Sequence, residues 1–332
     1  MLAAGRQQGV PARRVCAVVG LAPRRVRRWR HRLAGGGGLA DDRPGPRAAP
    51  HRLLAAERAA ILARARLAVH ADAASRILAY TALDAGDMAV SPSSVYRVLA
   101  ATGLTAERGQ ARRRRPGAAP PLREPLTGPN QRWCWDITSR RTFVPHVFLF
   151  LSGMLDEWSR KGVAWLVAEI ESFELGKVLT DRALAAEGRL GPTARPPVVI
   201  NDRGPSMQAK SLRRFFADLG VPQRFARPRT PNDNPFIEAA FRTIKYHPTY
   251  PGRFADRAEA ETYFAEFFLW YNHQHLHSGI GHVPPARKHT GRDQEILARR
   301  TARLAEARSR RLRLNRRASY RQSAEASSPE EP

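Results

Sequence analysis

Cysteine is nearly absent: the 332 residues hold only Cys16 and Cys134. Two thiols exclude a disulfide framework and a zinc site built on cysteine alone. Lysine is scarce too. Of 56 basic residues, five are Lys (Lys161, Lys177, Lys210, Lys245 and Lys288) and the rest are Arg. No apolar run reaches the length of a membrane span. The apolar stretch 15–22 is short and has Arg on both sides, unlike a signal peptide. The chain therefore reads as cytoplasmic, without a membrane partner.

Acid is in deficit. Thirty Asp+Glu against 56 Lys+Arg leave a formal charge of +26 and a pI near 11.5. Such a balance points to a polyanion, nucleic acid first, and governs partner and solubility rather than fold. Residues 1–130 carry 23 Arg, no Lys and eight acids, a net +15. At 42% hydrophobic residues, the chain can still bury a substantial core.

Residues 1–34 read as a helix-turn-helix. Val15, Val18 and Val19 have helical spacing, Gly20 breaks the run, and Pro23 suits a new first turn. Val26, Trp29 and Leu33 give the second helix an apolar face. Arg24, Arg25, Arg27, Arg28 and Arg30 stud the others and are candidate DNA contacts. Any short basic hairpin would share this pattern. A Gly-, Pro- and Arg-rich linker follows over 35–52. A second helical unit covers 53–103, with Ser91-Pro92 as cap and first residue of a helix; it is a second helix-turn-helix or a packing unit. Residues 104–130 form a basic linker, in which Arg112, Arg113, Arg114 and Arg115 suit a phosphate backbone. A basic tail fills 286–332, expected to be helical when bound and frayed when free.

Residues 131–285 change character. Strand patterns cover 132–138, 144–151, 162–167, 197–200 and 221–225. Helices are expected over 173–187 and 211–219, then from a cap at Asn232 or Asp233. A last one starts at Asp256, with Glu259 at capping-box spacing. Such alternation indicates an α/β domain.

Three carboxylates stand out in this basic chain. Asp136 lies inside a strand between Trp135 and Ile137, where its charge is costly without a partner. Asp202 ends the strand 198–200, and Glu238 lies near a helix start, 35 residues intervening. Each alone reads better as a cap or a macrodipole partner. Together, two strand-borne Asp and one helix-borne Glu suit a pair of divalent cations with hard oxygen ligands. Arg242 and Lys245, at i+4 and i+7 from Glu238, share its face and suit DNA phosphates or a solvated surface equally. His273, His275, His277 and His282 read as a structural segment rather than a zinc site.

These motifs resemble the bacterial insertion-sequence transposases with a DDE core of the retroviral-integrase type. Trp133-Cys134-Trp135-Asp136-Ile137-Thr138 is similar to that family's first-Asp motif, and Asp156-Glu157-Trp158-Ser159-Arg160 to its Asp-x-x-Ser-Arg stretch. Asn201-Asp202-Arg203-Gly204 resembles the second-Asp motif, with Asn201 and Arg203 where the family has Ser and Asn. Asn232 to Glu238 with 241–246 resembles the third-acid helix, and Tyr271-Asn272-His273 the closing motif. The resemblance implies an RNase H-like core, a mixed sheet flanked by helices, behind all-α helix-turn-helix units. It implies Asp136, Asp202 and Glu238 as catalytic and metal ligands for two Mg²⁺, with Mn²⁺ as substitute. It further implies cleavage and strand transfer at the terminal repeats of an insertion sequence, on duplex and target DNA, by a homo-oligomer at the nucleoid. Two other readings compete: a DNA-binding regulator or relic with a non-catalytic integrase-like domain, and a stand-alone nuclease.

Overall fold

The computed structural model describes residues 8–36, 38, 49–70, 73–105, 124–202, 204–227 and 234–325, with side chains to 318. The expected contacts Arg112 to Arg115, and the caps Asn232 and Asp233, lie outside the described residues. The chain divides into two units, Met1–Arg52 and Leu53–Pro332.

In the first unit, α1 (Ala12–Val18) and α2 (Pro23–Ala34) are joined through Gly20. Its φ of +65° is a conformation that costs glycine little. Cys16 and Val26 are buried between the helices, whereas Leu33 is 55% exposed. The apolar face expected at Val26, Trp29 and Leu33 is thus only partly covered. The cause is length: α1 has seven residues and α2 twelve, so α1 cannot reach the far end of its partner.

The second unit begins with a three-helix cluster: α3 (Ala55–Ala65), α4 (Ser75–Ala85) and α5 (Pro92–Ala101). Ile61, Leu78, Ala82, Val95 and Leu99 form its core. Ser91 caps α5 as expected, accepting the Ser94 N–H at 3.3 Å, with Pro92 as the first helical residue.

Five strands follow: β1 (Arg132–Arg141), β2 (Phe148–Asp156), β3 (Gly162–Ala168), β4 (Val198–Asn201) and β5 (Gln223–Phe225). Their order is β3-β2-β1-β4-β5. The pairs β1/β2 and β2/β3 are antiparallel; β1/β4 and β4/β5 are parallel. This is the expected mixed sheet. The boundaries differ most at β1, which runs to Arg141 rather than 138, and at β2, which starts at Phe148 rather than 144 and ends at Asp156 rather than 151. Residues 142–147 form a turn instead, in which the Thr142 hydroxyl bonds the carbonyls of Val144 and Val147, and His146 takes φ +64°.

Helices cover both faces. On one lie α6 (Phe173–Ala186), α7 (Pro205–Gln208) and α8 (Lys210–Asp218); on the other lie α9 (Pro235–Lys245) and α10 (Arg257–His273). Alternation along β1 sorts its side chains between these layers. Trp133 and Trp135 enter the core with Leu179, Leu212 and Phe216. Cys134 joins Ile237, Phe241 and the buried aromatic face of α10. Asp256 caps α10, accepting the Glu259 N–H at 2.8 Å.

Two unexpected features come from polar side chains distant in sequence. The first is the tail. After α11 (Pro285–His289), residues Asp293–Glu325 form one helix, α12, which is docked rather than frayed over its described side chains. Arg300 grips Asp84 of α4 with two bonds of 2.7 and 2.6 Å and also donates to the carbonyls of Gly281 and His282. Arg303 donates to the carbonyls of Leu83 and Asp84. Arg311 pairs with Glu57 of α3 at 2.8 Å. The anchors are arginines, so no apolar stripe betrays them.

The second is a buried clasp at the end of β2. Asp156 is fully buried. It accepts the Asn130 N–H at 2.8 Å, the Ser159 N–H at 2.7 Å and the Ser159 hydroxyl at 2.6 Å. With its own proton committed to Asp156, Ser159 Oγ accepts from His289 Nδ1 at 2.8 Å, while His289 Nε2 meets Glu187 at 2.7 Å. Lys161 donates to the other Glu187 oxygen at 2.6 Å. Burial pulls the His289 imidazole down, but its bonds toward Asp156 and Glu187 outweigh this and raise it above its ordinary value. Burial pushes Glu187 up, but donors from His289, Lys161 and Asn130 carry it down to about 2.

The signs of the two shifts define a window. A raised imidazole stabilises the fold fully below about pH 6.5, and this contribution is lost as pH climbs through the folded-state value. A depressed carboxyl stabilises above about pH 4.5 and is lost as pH falls toward 2. The clasp is therefore strongest between those limits. We expect His289→Gln to make the decline in stability above pH 6.5 shallower than in the wild type. Thermal melts of both proteins across that range check it; an equally steep alkaline decline in the variant contradicts it.

Candidate active site

Asp136 is positioned by β1 register. The strand turns Cys134 toward α9, so two residues on, Asp136 points to the same side. Its cross-strand partner on β2 is Gly153. A Cβ at Gly153 would meet Phe241 at 3.3 Å and Ile237 at 3.6 Å. Glycine there lets α9 lie close on the sheet, beside the carboxylate.

Asp202 follows β4 directly. The parallel register pairs Cys134 with Ile200. Extended by two residues, it brings Asp202 level with Asp136. The side chain is exposed, and its Oδ1 accepts the Gly204 N–H at 2.9 Å, turning the chain into α7.

Glu238 sits in the first turn of α9, exposed at the helix start. Asn234, just before that helix, donates from Nδ2 to the Trp135 carbonyl at 3.1 Å. The helix start is thereby stitched to β1 one residue before Asp136. The Arg160 guanidinium lies 3.5 Å from the Phe236 ring centroid, a cation–π contact that braces the same turn.

Electrostatics register the juxtaposition. Burial pushes the Asp136 carboxyl up, the Ile137 N–H at 2.9 Å opposes this, and the charges of Asp202, Glu238 and Glu171 push it further, to about 7. Burial also raises Glu238, against the pull of Arg242. Among the described residues, no three carboxylate, imidazole or thiol groups stand close enough to hold a metal ion. Asp202 and Glu238 are near enough for their charges to act on Asp136. The donor chemistry of the three acids fits a hard divalent cation: oxygen ligands only, one of them pushed up chiefly by burial and further by neighbouring negative charge that a cation would offset.

Other candidate residues fall as follows. Arg242 and Lys245 are exposed on α9, and Arg24, Arg25, Arg27, Arg28 and Arg30 are all exposed on α2. Burial drives both His275 and His277 down to about 4, as in a structural segment of neutral imidazoles. Asn234 was read only as part of the stretch before Glu238, and Arg160 only as part of a motif. The one local sign of the first was an Asn next to a helix-starting Pro. The contact to Trp135 left no sign at all.

Comparison with known proteins fits this geometry. Two models of the integrase core domain match residues 127–231 and 219–285. The transposase for insertion sequence element IS904 of Lactococcus lactis is 28% identical over 48% of this chain and 61% of its own length. The IS600 uncharacterized 31 kDa protein of Shigella sonnei is 30% identical over 48% and 57%. Transposase InsD for insertion element IS2 of Escherichia coli is 29% identical over 60% and 66%. The chain thus spans about three-fifths of the length of these relatives. Among solved structures, the HTLV-2 integrase catalytic core domain in complex with magnesium aligns at 14% identity and TM-score 0.37, over 49% of this chain and 98% of that one. The catalytic domain of the Mos1 mariner transposase aligns at 13% and 0.38, over 54% and 83%. Residues 127–285 thus match the integrase core domain family, and the chain is similar to bacterial insertion-sequence transposases.

Proposed function

We propose that the protein is a DDE transposase that cleaves DNA at the ends of an insertion sequence and joins those ends to target DNA. The observation that carries this reading is the placement of Asp136 on β1, Asp202 at the end of β4 and Glu238 at the start of α9, near enough for the last two to act on the Asp136 carboxyl. The three carboxylates hold Mg²⁺, with Mn²⁺ as substitute. The chemistry supplied by the bound ions is activation of the attacking oxygen and neutralisation of charge on the leaving one, in an in-line displacement at phosphorus. The rest falls to the chain itself. Asn234 and Arg160 fix the α9 start, which bears Glu238, beside β1, which bears Asp136. Arg242, one turn from Glu238 and exposed, holds a DNA phosphate at the rim, with Lys245 beyond it.

DNA recognition is assigned to the first unit. The exposed Arg24, Arg25, Arg27, Arg28 and Arg30 contact the terminal repeats, and Arg112 to Arg115 contact the phosphate backbone. Two ends must be joined, so the protein acts as a homo-oligomer on DNA, at the nucleoid. Among the described residues, no helix is long and apolar enough to cross a membrane.

The fold dictates where to cut for a test. A truncation near residue 103 would remove Asp84 and Glu57 and strand the buried Arg300 and Arg311. Deleting residues 1–52 leaves the second unit whole. That variant should lose discrimination between element-end and random duplex by about 100-fold or more, while keeping salt-sensitive binding. A truncated protein that still prefers end DNA contradicts the assignment of the first unit.

A further inference from the structure

The ten arginines of residues 299–321 are not one undifferentiated run, because α12 sorts them. Arg300, Arg303 and Arg311 turn inward and are used on α3 and α4. Arg299, Arg308, Arg310, Arg313, Arg316 and Arg317 remain exposed. At 100° per residue, Arg299, Arg310, Arg313 and Arg317 fall within an arc of about 60° along roughly 27 Å of helix. Glu306 is the single acid of that arc.

This arrangement costs the isolated helix stability. Arg310 and Arg313 are three apart, and Arg313 and Arg317 four apart, spacings at which like charges repel. None of the four forms an ion pair with a described residue. The helix dipole does not account for Arg310 or Arg313, since it acts over the last turn only and the helix runs to Glu325. A row of phosphates would relieve the repulsion, and 27 Å is most of one turn of duplex.

We propose that the flank of α12 bordering its inward face, where Arg310 also lines a cleft against α3 and α4, is a second DNA surface, a sequence-independent backbone clamp carried by Arg299, Arg310, Arg313 and Arg317. The inward arginines are its mount. The bidentate Arg300–Asp84 pair and the Arg311–Glu57 pair fix the stripe relative to α3–α5. Duplex held there is at a set place beside the helical cluster. The inference rests on the proposed function for the identity of the polyanion, and goes beyond it in placing a contact surface on the C-terminal helix.

The test uses the full chain and a random-sequence duplex of roughly 40 base pairs, with binding followed by fluorescence anisotropy from low to high NaCl. A triple variant, Arg310→Gln with Arg313→Gln and Arg317→Gln, should reduce the slope of log K against log salt by about 2–3. Affinity near 0.1 M salt should fall about 10- to 100-fold, to the same extent for any sequence. The matching Arg→Lys triple should keep the wild-type slope, because a phosphate needs the charge more than the fork. Helical circular dichroism equal to wild type in both triples confirms that α12 is formed. A Gln triple with the wild-type slope overturns the clamp while leaving the proposed function standing. A wild-type chain that does not bind duplex at all overturns both.

Discussion

Asp136→Asn, Asp202→Asn and Glu238→Gln are each expected to abolish Mg²⁺-dependent cleavage of element-end DNA, by about 10³-fold or more, while DNA affinity stays within a few-fold of wild type. The size follows from the division of labour. A two-cation displacement leans on its ligands for both the attacking and the leaving oxygen, whereas binding rests on arginines spread elsewhere in the chain. Each amide is nearly isosteric with the acid it replaces, so the fold survives. Asp136→Asn should even stabilise the metal-free protein. Its carboxyl stands near 7 in the fold, against about 3.9 in an unfolded chain. The resulting penalty grows from pH 4 to pH 7 and is complete above that. After discounting for solvent at a half-buried group, the gain is about 1–3 kcal/mol at pH 8 and nothing at pH 4. Cleavage assays and thermal melts on the same three variants read both effects. Retained cleavage in any one of them removes that residue from the site.

Asp156→Asn gives the largest loss of stability, with a cause unrelated to metal. The carboxylate is wholly buried and accepts three bonds from Asn130 and Ser159, with His289 Nδ1 at 3.7 Å. An amide retains one acceptor oxygen and turns an NH₂ toward donors. It also leaves the buried His289 ring beside a single carboxylate, Glu187. Breaking one member of such a buried set costs about 3–5 kcal/mol, or roughly 10 °C of melting temperature. Differential scanning calorimetry checks it. A change under about 1 kcal/mol would mean that the clasp contributes little. Asp156 is therefore a structural acid, although it lies only 20 positions along the chain from Asp136.

Why the acids of the site were legible, and the clasp was not, follows from the kind of contact each makes. Asp136 interrupts an apolar strand, and its neighbours Trp133 and Trp135 alternate with Cys134 as β1 requires. The strand preceding Asp202 and the helix bearing Glu238 likewise follow from local pattern. Contacts between polar groups distant in sequence leave no period. Asn234 meets Trp135 across 99 positions, Ser159 meets His289 across 130, and Arg300 meets Asp84 across 216. The docking of α12 was hidden for a related reason: its inward face is marked by Arg300, Arg303 and Arg311, residues that read as solvated charge. At β2 a polar turn held by Thr142 displaced an apolar pattern, and at Leu33 a short partner helix left an apolar side chain bare.

The convergence of Asp136, Asp202 and Glu238 on shared cations is tested most directly by a crystal structure of the full chain with Mn²⁺ and element-end DNA, the cations located by anomalous scattering. Two Mn²⁺ peaks about 3.5–4 Å apart, ligated by these three carboxylates and a DNA phosphate, are the expected result. Mn²⁺ bound at other side chains, or any one of the three acids turned to a different face of the sheet, would contradict it.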